Sequence, residues 1–247
     1  MGKIYIFDVD GTLTPSRLPM TEEFLEFFDS WSKRNPFYLV TGSDINKTKQ
    51  QVPDIILDRV EALFTCCGNE MWIPDPHIVN IGAEQIYRKE FKVSRKLKKL
   101  LGTILSNSSY PHRYGNHIED RETMINFSIV GRNCTQEQRE EYYKWDKERG
   151  ERKIIAEAVK DKFPDLDAVI GGQISIDIYP KGRDKSQVLE HIDVEWPHGE
   201  LVFIGDGIEN QGNDYALAKL MDNTKHYKWY QTDGWEQTKQ ILEKLSD

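Results

Sequence analysis

The chain is poor in the features that mark secreted, membrane and nucleic-acid-binding proteins. It carries three cysteines in 247 residues, at positions 66, 67 and 134. An odd number, with two adjacent and no Cys-x-x-Cys pair, argues against a disulfide framework or a zinc site and fits reduced thiols in the cytoplasm. The six histidines are scattered without metal-ligand spacing. No run approaches the roughly 18 consecutive apolar residues of a membrane span. No secretory apolar stretch precedes the strand-like start at Ile4, so the expectation is a soluble, cytoplasmic protein with no membrane partner. There is no block of like charge, and a formal net charge of −8 argues against a nucleic-acid partner. Internal repeats and low-complexity tracts are absent too. What is present is an ordinary globular composition, 38% hydrophobic and 30% charged, long enough for a medium domain carrying a smaller one.

The two ends of the chain alternate strands and helices. Ile4–Phe7 is a short apolar run ending in Asp8-Val-Asp-Gly-Thr12, the pattern of a buried parallel strand meeting a turn. Thr21 caps a helix with Phe24, Leu25, Phe28 and Trp31 on one face. Phe37–Val40 is the next strand, followed by Thr41-Gly-Ser-Asp44, where Ser43 is expected to cap a short helix; Val60–Phe64 is a third strand. The rhythm returns with a helix from Lys185, a strand at Leu201–Ile204, a helix after Asn213 and a last helix from Trp235. Between them the texture changes. Residues 86–105 read as a basic amphipathic helix, His117–Val130 alternates like one antiparallel strand, and Thr135 with Gln138 opens a long helix broken at Gly150. Strands follow at Asp167–Ile170 and Ile174–Tyr179. The fold class is therefore α/β: a Rossmann-like doubly wound parallel-sheet core from residues 1–81 and 183–247, with an α+β cap inserted at 82–182.

In such sheets ligands bind beyond the carboxyl ends of the strands. Asp8 and Asp10 flank Val9, so both carboxylates can approach one site. Magnesium takes hard oxygen ligands, usually one or two carboxylates with phosphate oxygens and water. Asp8 suits the nucleophile that accepts a phosphoryl group, and Asp10 the acid/base that serves the leaving and accepting oxygens. Thr41, Gly42 and Ser43 offer hydroxyls and amides to the phosphoryl group. Lys185 offsets its charge, Asp206 adds a metal ligand beside Asp8 and Asp10, and Asn213-Asp214 lies on the next loop. Each piece alone has a bland reading as a solvated turn or surface pair; all four in order at strand and helix termini do not.

Taken together, Phe7–Thr14, Thr41–Asp44, Asp184-Lys185 and Gly205-Asp206 with Gly212-Asn-Asp214 resemble the four motifs of the haloacid-dehalogenase superfamily. With Ile118–Arg139 and Gly171–Pro180, the chain resembles the eukaryotic phosphomannomutase family along nearly its whole length. That resemblance implies interconversion of mannose 6-phosphate and mannose 1-phosphate through a hexose 1,6-bisphosphate primer, with Mg2+ as cofactor. By the same resemblance Arg17, Arg121, Arg132, Arg139, Ser175 and Asp177 fall on substrate-binding positions, and a homodimer forms through the cap. Arg forks suit the phosphate that is not reacting. The sequence departs from the family at Glu122-Thr123, Gln173 and Arg183, and its second metal loop is not recognisable after Asp214. A sugar-phosphate phosphatase and a phosphoglucomutase-type activity are the alternative enzymes, and a non-catalytic phosphosugar sensor is the alternative class.

Overall fold

The computed structural model describes residues 2–74, 83–195, 199–209 and 212–246, without the side chains of 193–195. The chain divides into two compact units, Met1–Arg88 with Asp184–Asp247, and Lys89–Arg183. Among the described residues no helix is long and apolar enough to cross a membrane.

The first unit begins with β1 (Lys3–Phe7), α1 (Glu22–Ser32), β2 (Phe37–Val40), α2 (Ile45–Gln51), α3 (Asp54–Leu57) and β3 (Leu63–Thr65). Thr21 caps α1 as its sequence predicts, accepting the Phe24 amide. The cap of α2 is Asp44, which accepts the Lys47 amide; Ser43, the expected cap, is engaged elsewhere. Next come β4 (Glu70–Pro74) and β5 (Ala83–Arg88), an antiparallel pair on the edge of the sheet. Residues 86–88 therefore belong to a strand and not to the helix expected there. Their partner is a strand distant in local pattern, and Arg88 pairs with Glu70 at 3.4 Å.

The second unit holds α4 (Arg95–Asn107), β6 (Ile118–Asp120), β7 (Ile125–Phe127), α5 (Gln136–Arg149), α6 (Glu151–Lys162), β8 (Leu166–Gly171) and β9 (Ser175–Pro180). Its sheet runs β6-β7-β9-β8, antiparallel throughout. The expected single strand at 117–130 is two strands. Asp120 accepts the Glu122 amide and Glu122 takes a left-handed φ of 63°, so the chain turns back on itself. The capping box at Thr135 and Gln138 forms, and α5 ends at left-handed Gly150. Ile125, Phe127, Ile176 and Ile178 alternate into a core with Leu97, Leu101, Ile155 and Val159.

The first unit then resumes with a 3-10 turn at Lys185–Val188, α7 (Leu189–Glu195), β10 (Glu200–Gly205), α8 (Tyr215–Met221), β11 (Tyr227–Gln231) and α9 (Trp235–Ser246). Its seven-stranded sheet is ordered β11-β10-β1-β2-β3-β4-β5, parallel from β11 to β3. Period-two alternation explains the layers. Tyr5, Phe7, Leu39, Val202 and Ile204 face α1, α3 and α9, while Ile4, Ile6, Tyr38, Val40 and Phe203 face α7 and α8. The Phe7 ring meets Phe28 and Trp31 edge-on, with centroids 5.4 and 5.6 Å apart. β1 thus lies inside the sheet between β10 and β2, buried on both faces.

Candidate active site

The turn after β1 folds around one carbonyl. The amides of Thr12, Leu13 and Thr14 all converge on the Val9 oxygen at 3.0–3.2 Å, while the Val9 side chain enters the core. Asp8, buried, and Asp10, half-buried, are left on either side of Val9. Gly11 sits at φ +82°, and a Cβ there would fall 2.3 Å from Asp206 Oδ2. The glycine lets the loop after β10 bring Asp206 against the loop after β1.

Lys185 is fully buried and donates to Asp8 Oδ1 at 2.5 Å and to Asp214 Oδ1 at 2.6 Å. Burial alone would drive its ammonium toward neutrality, but Asp214 and Asp8 outweigh that and hold it protonated beyond its usual range. The carboxylates are crowded in turn. Burial, with Asp214 and Asp10 nearby, pushes the Asp8 carboxyl up to about 7 against the opposing pull of Lys185. Asp206 is raised well above its ordinary value by burial, then by Asp8 and Asp214. Oxygens of Asp8, Asp206 and Asp214 all lie within 4.8 Å of one another. One ammonium cannot satisfy three carboxylates, two of them buried and the third, Asp206, half-buried. An all-oxygen set of this kind fits a hard divalent cation, which would favour ionisation of all three. The third carboxylate of the cluster is Asp214, whose Oδ2 also accepts the Gly207 amide at 2.9 Å. The side-chain oxygens of Asp10, also expected from the sequence to be a metal ligand, accept from other donors.

Asp10 Oδ1 accepts the Arg17 amide at 2.7 Å and the Gln51 side-chain amide at 2.9 Å, and Oδ2 accepts the Ser43 hydroxyl at 3.3 Å. Thr41 Oγ1 accepts the Ser43 amide at 3.0 Å, with Gly42 between them. The Cys66 and Cys67 amides donate to the Ser43 and Thr41 carbonyls, so the turn that follows β3 braces this loop. Thr12 Oγ1 lies 3.5 Å from Asp8 Oδ2. The first unit thus brings together Asp8, Asp10, Arg17 (through its backbone), Thr41, Ser43, Lys185 and Asp206.

The second unit builds a separate polar cluster. Register places Glu119 opposite Asn126 and Asn126 opposite Asp177, a row on the sheet face away from the apolar core. Asn126 donates to Asp177 Oδ1 at 2.7 Å. Arg121 donates to Glu119 at 2.5 and 3.1 Å, and Arg132 donates to Ser175 Oγ at 2.8 Å with its Nε 3.8 Å from the same Glu119 oxygen. Two guanidinium groups thus approach the same Glu119 oxygen. Arg139 is buried in the first turn of α5. Sequence reasoning named the arginines, Ser175 and Asp177 but missed Glu119, Asn126 and Gln51. Strand alternation would have exposed the first two once the turn at 121–124 was recognised.

The profile of the eukaryotic phosphomannomutase family matches residues 24–245. A phosphomannomutase of Encephalitozoon cuniculi is 37% identical over 226 residues, covering 89% of this chain and 85% of that protein. A phosphomannomutase of Saccharomyces cerevisiae is 35% identical over 221 residues, covering 87% and 84%. A solved haloacid dehalogenase-like hydrolase of Bacteroides thetaiotaomicron superposes with a TM-score of 0.57 at 14% identity, covering 99% of this chain and all of that one, which bears on fold alone.

Proposed function

The chain belongs to the eukaryotic phosphomannomutase family, and from that premise we propose that it interconverts mannose 6-phosphate and mannose 1-phosphate through a hexose 1,6-bisphosphate. The observation that carries the reading is Asp8, held by a buried lysine at the carboxyl end of β1 with Asp10 beside it. Asp8 attacks the phosphoryl group and becomes an aspartyl-phosphate. Asp10 gives a proton to the leaving sugar oxygen, then takes one from the accepting hydroxyl. Lys185 neutralises charge on Asp8, and the hydroxyls and amides of Thr41–Ser43 hold phosphoryl oxygens. Asp8, Asp206 and Asp214 would hold Mg2+, which would supply charge stabilisation to the transferring group.

A mutase must also hold the phosphate that is not reacting. Arg121 and Arg132 suit that role, with Arg17 and Arg139, because guanidinium forks match phosphate bidentately. Ser175 and Asp177 take sugar hydroxyls. The same proposal includes a homodimer formed through the second unit, a cytoplasmic location and supply of mannose 1-phosphate to GDP-mannose synthesis. The test is a coupled assay with mannose 1-phosphate, with and without the bisphosphate primer, alongside inorganic phosphate release. Primer-dependent isomerisation outrunning phosphate release supports a mutase. Primer-independent release of phosphate as the main reaction supports a sugar phosphatase instead.

A further inference from the structure

Gln51 reaches the acid/base from the last turn of α2, and its geometry is over-determined for a packing residue. The side chain is 4% exposed, and Nε2 lies 2.9 Å from Asp10 Oδ1 and 3.2 Å from Thr14 Oγ1. Thr14 spends its own hydroxyl proton on the Val9 carbonyl, so toward Gln51 it can only accept. Two acceptors on one side fix the amide with its nitrogen toward Asp10. Gln51 Oε1 is left without a hydrogen-bond partner among the described residues. A buried orphan acceptor forfeits its hydration without recompense, a cost that Met or Leu in the same volume would avoid. The second donor to Oδ1 is also held at a cost. Arg17 takes φ 67°, left-handed for a non-glycine, and that conformation aims its amide at Asp10.

We propose that Gln51 is a positioning residue for the proton transfers of this reaction. With the Arg17 amide it saturates Oδ1 of Asp10, so that Oδ2, beside the Ser43 hydroxyl, is the oxygen that carries the proton. This rests on the reading of Asp10 as the acid/base. In phosphorylation, the P–O bond to the sugar breaks as a P–O bond to Asp8 forms, and the departing oxygen takes the proton from Oδ2. In the return step the acceptor hydroxyl loses its proton to Oδ2 as its oxygen bonds phosphorus and the Asp8 carboxylate leaves. Without the amide, the carboxyl turns about its last torsion and the proton is shared between two oxygens, only one of which faces the reacting bond.

Leaving-group dependence tests this, because a good leaving group needs no proton. The single-turnover phosphorylation rate of the magnesium-loaded enzyme is measured with 4-nitrophenyl phosphate and with phenyl phosphate, for wild type, Gln51→Met and Asp10→Asn. General acid catalysis is worth about 10²–10⁴-fold, and loss of positioning should remove at least about tenfold of it. The expected result is that Q51M slows phenyl phosphate at least tenfold more than 4-nitrophenyl phosphate, in the same direction as D10N. Equal slowing of both esters, or none, overturns the role of Gln51 while D10N still shows selectivity. If D10N shows no selectivity, the acid/base reading of Asp10 fails and the inference falls with it. A rate constant ratio from one preparation is independent of how much protein is folded, and Gln51→Leu provides a second shape-preserving variant.

Discussion

Replacing Gly171 by alanine tests whether Asp177 must lie where the structure puts it. Gly171 ends β8 opposite Ser175 and is not in the left-handed region, so alanine suits its backbone. The added Cβ would fall 2.4 Å from Asp177 Oδ2 and 2.9 Å from its Cγ. Carbon contacts settle near 3.5–4.0 Å, so the carboxylate must retreat by about 1 Å. That retreat breaks or stretches the 2.7 Å bond from Asn126. A hydrogen bond to a charged group is worth about 1.5–3 kcal/mol, and a displacement of about 1 Å at a substrate contact can cost about 10²-fold. At about 1.4 kcal/mol per decade, both routes give a fall of about 10–100-fold in kcat/KM for mannose 1-phosphate. A primer-supplied coupled assay measures it, with thermal unfolding as the folding control. Hydrolysis of a small aryl phosphate, which has no sugar, should change little. The double variant with Asp177→Ala should be no worse than D177A alone, since both act through one carboxylate. Additive losses, or an unchanged kcat/KM in a folded G171A protein, would refute the assignment of Asp177 to the sugar.

Four other outcomes follow from the geometry. Asp8→Asn should abolish turnover with the fold intact, measured by the coupled assay on protein free of contaminating mutase. Exhaustive EDTA should remove activity and Mg2+ restore it, and Asp206→Asn or Asp214→Asn should raise the Mg2+ concentration needed for half-maximal rate; a titration of rate against metal reads this directly. Arg132→Ala should lower kcat/KM for mannose 1-phosphate by more than tenfold, from the loss of a charge-assisted contact worth about 2–5 kcal/mol when desolvated, while aryl phosphate hydrolysis is largely spared. Asp146→Ala should destabilise the second unit by about 3–5 kcal/mol, read by denaturant unfolding. It strands the buried Arg152, which donates to Asp146 at 2.6 Å and to the Gly172 carbonyl at 2.7 Å.

The parts legible in the sequence are those whose signal is local. Asp8 to Thr12 announces itself because an apolar strand must end where a turn begins, and Thr135 with Gln138 because a capping box needs only four residues. What was missed depends on distant partners. β4 extends the sheet by pairing with β3, β5 by pairing with β4, and β11 by pairing with β10, so nothing within Tyr227–Gln231 alone declares a strand. Asp214 was visible on its loop, but only folding shows that its carboxylate joins those of Asp8 and Asp206. Gln51 carries no motif at all. Its role exists because α2 ends beside a turn that is 41 residues away in the chain.

The most direct test follows a labelled phosphoryl group. Enzyme is incubated with hexose 1,6-bisphosphate carrying isotopic phosphorus, freed of excess label, and then given unlabelled mannose 1-phosphate. Label should be trapped on the peptide containing Asp8 before the sugar is added, and afterwards should appear in mannose 6-phosphate. Label recovered as inorganic phosphate, with mannose 6-phosphate unlabelled, would contradict transfer through Asp8 from one sugar position to the other.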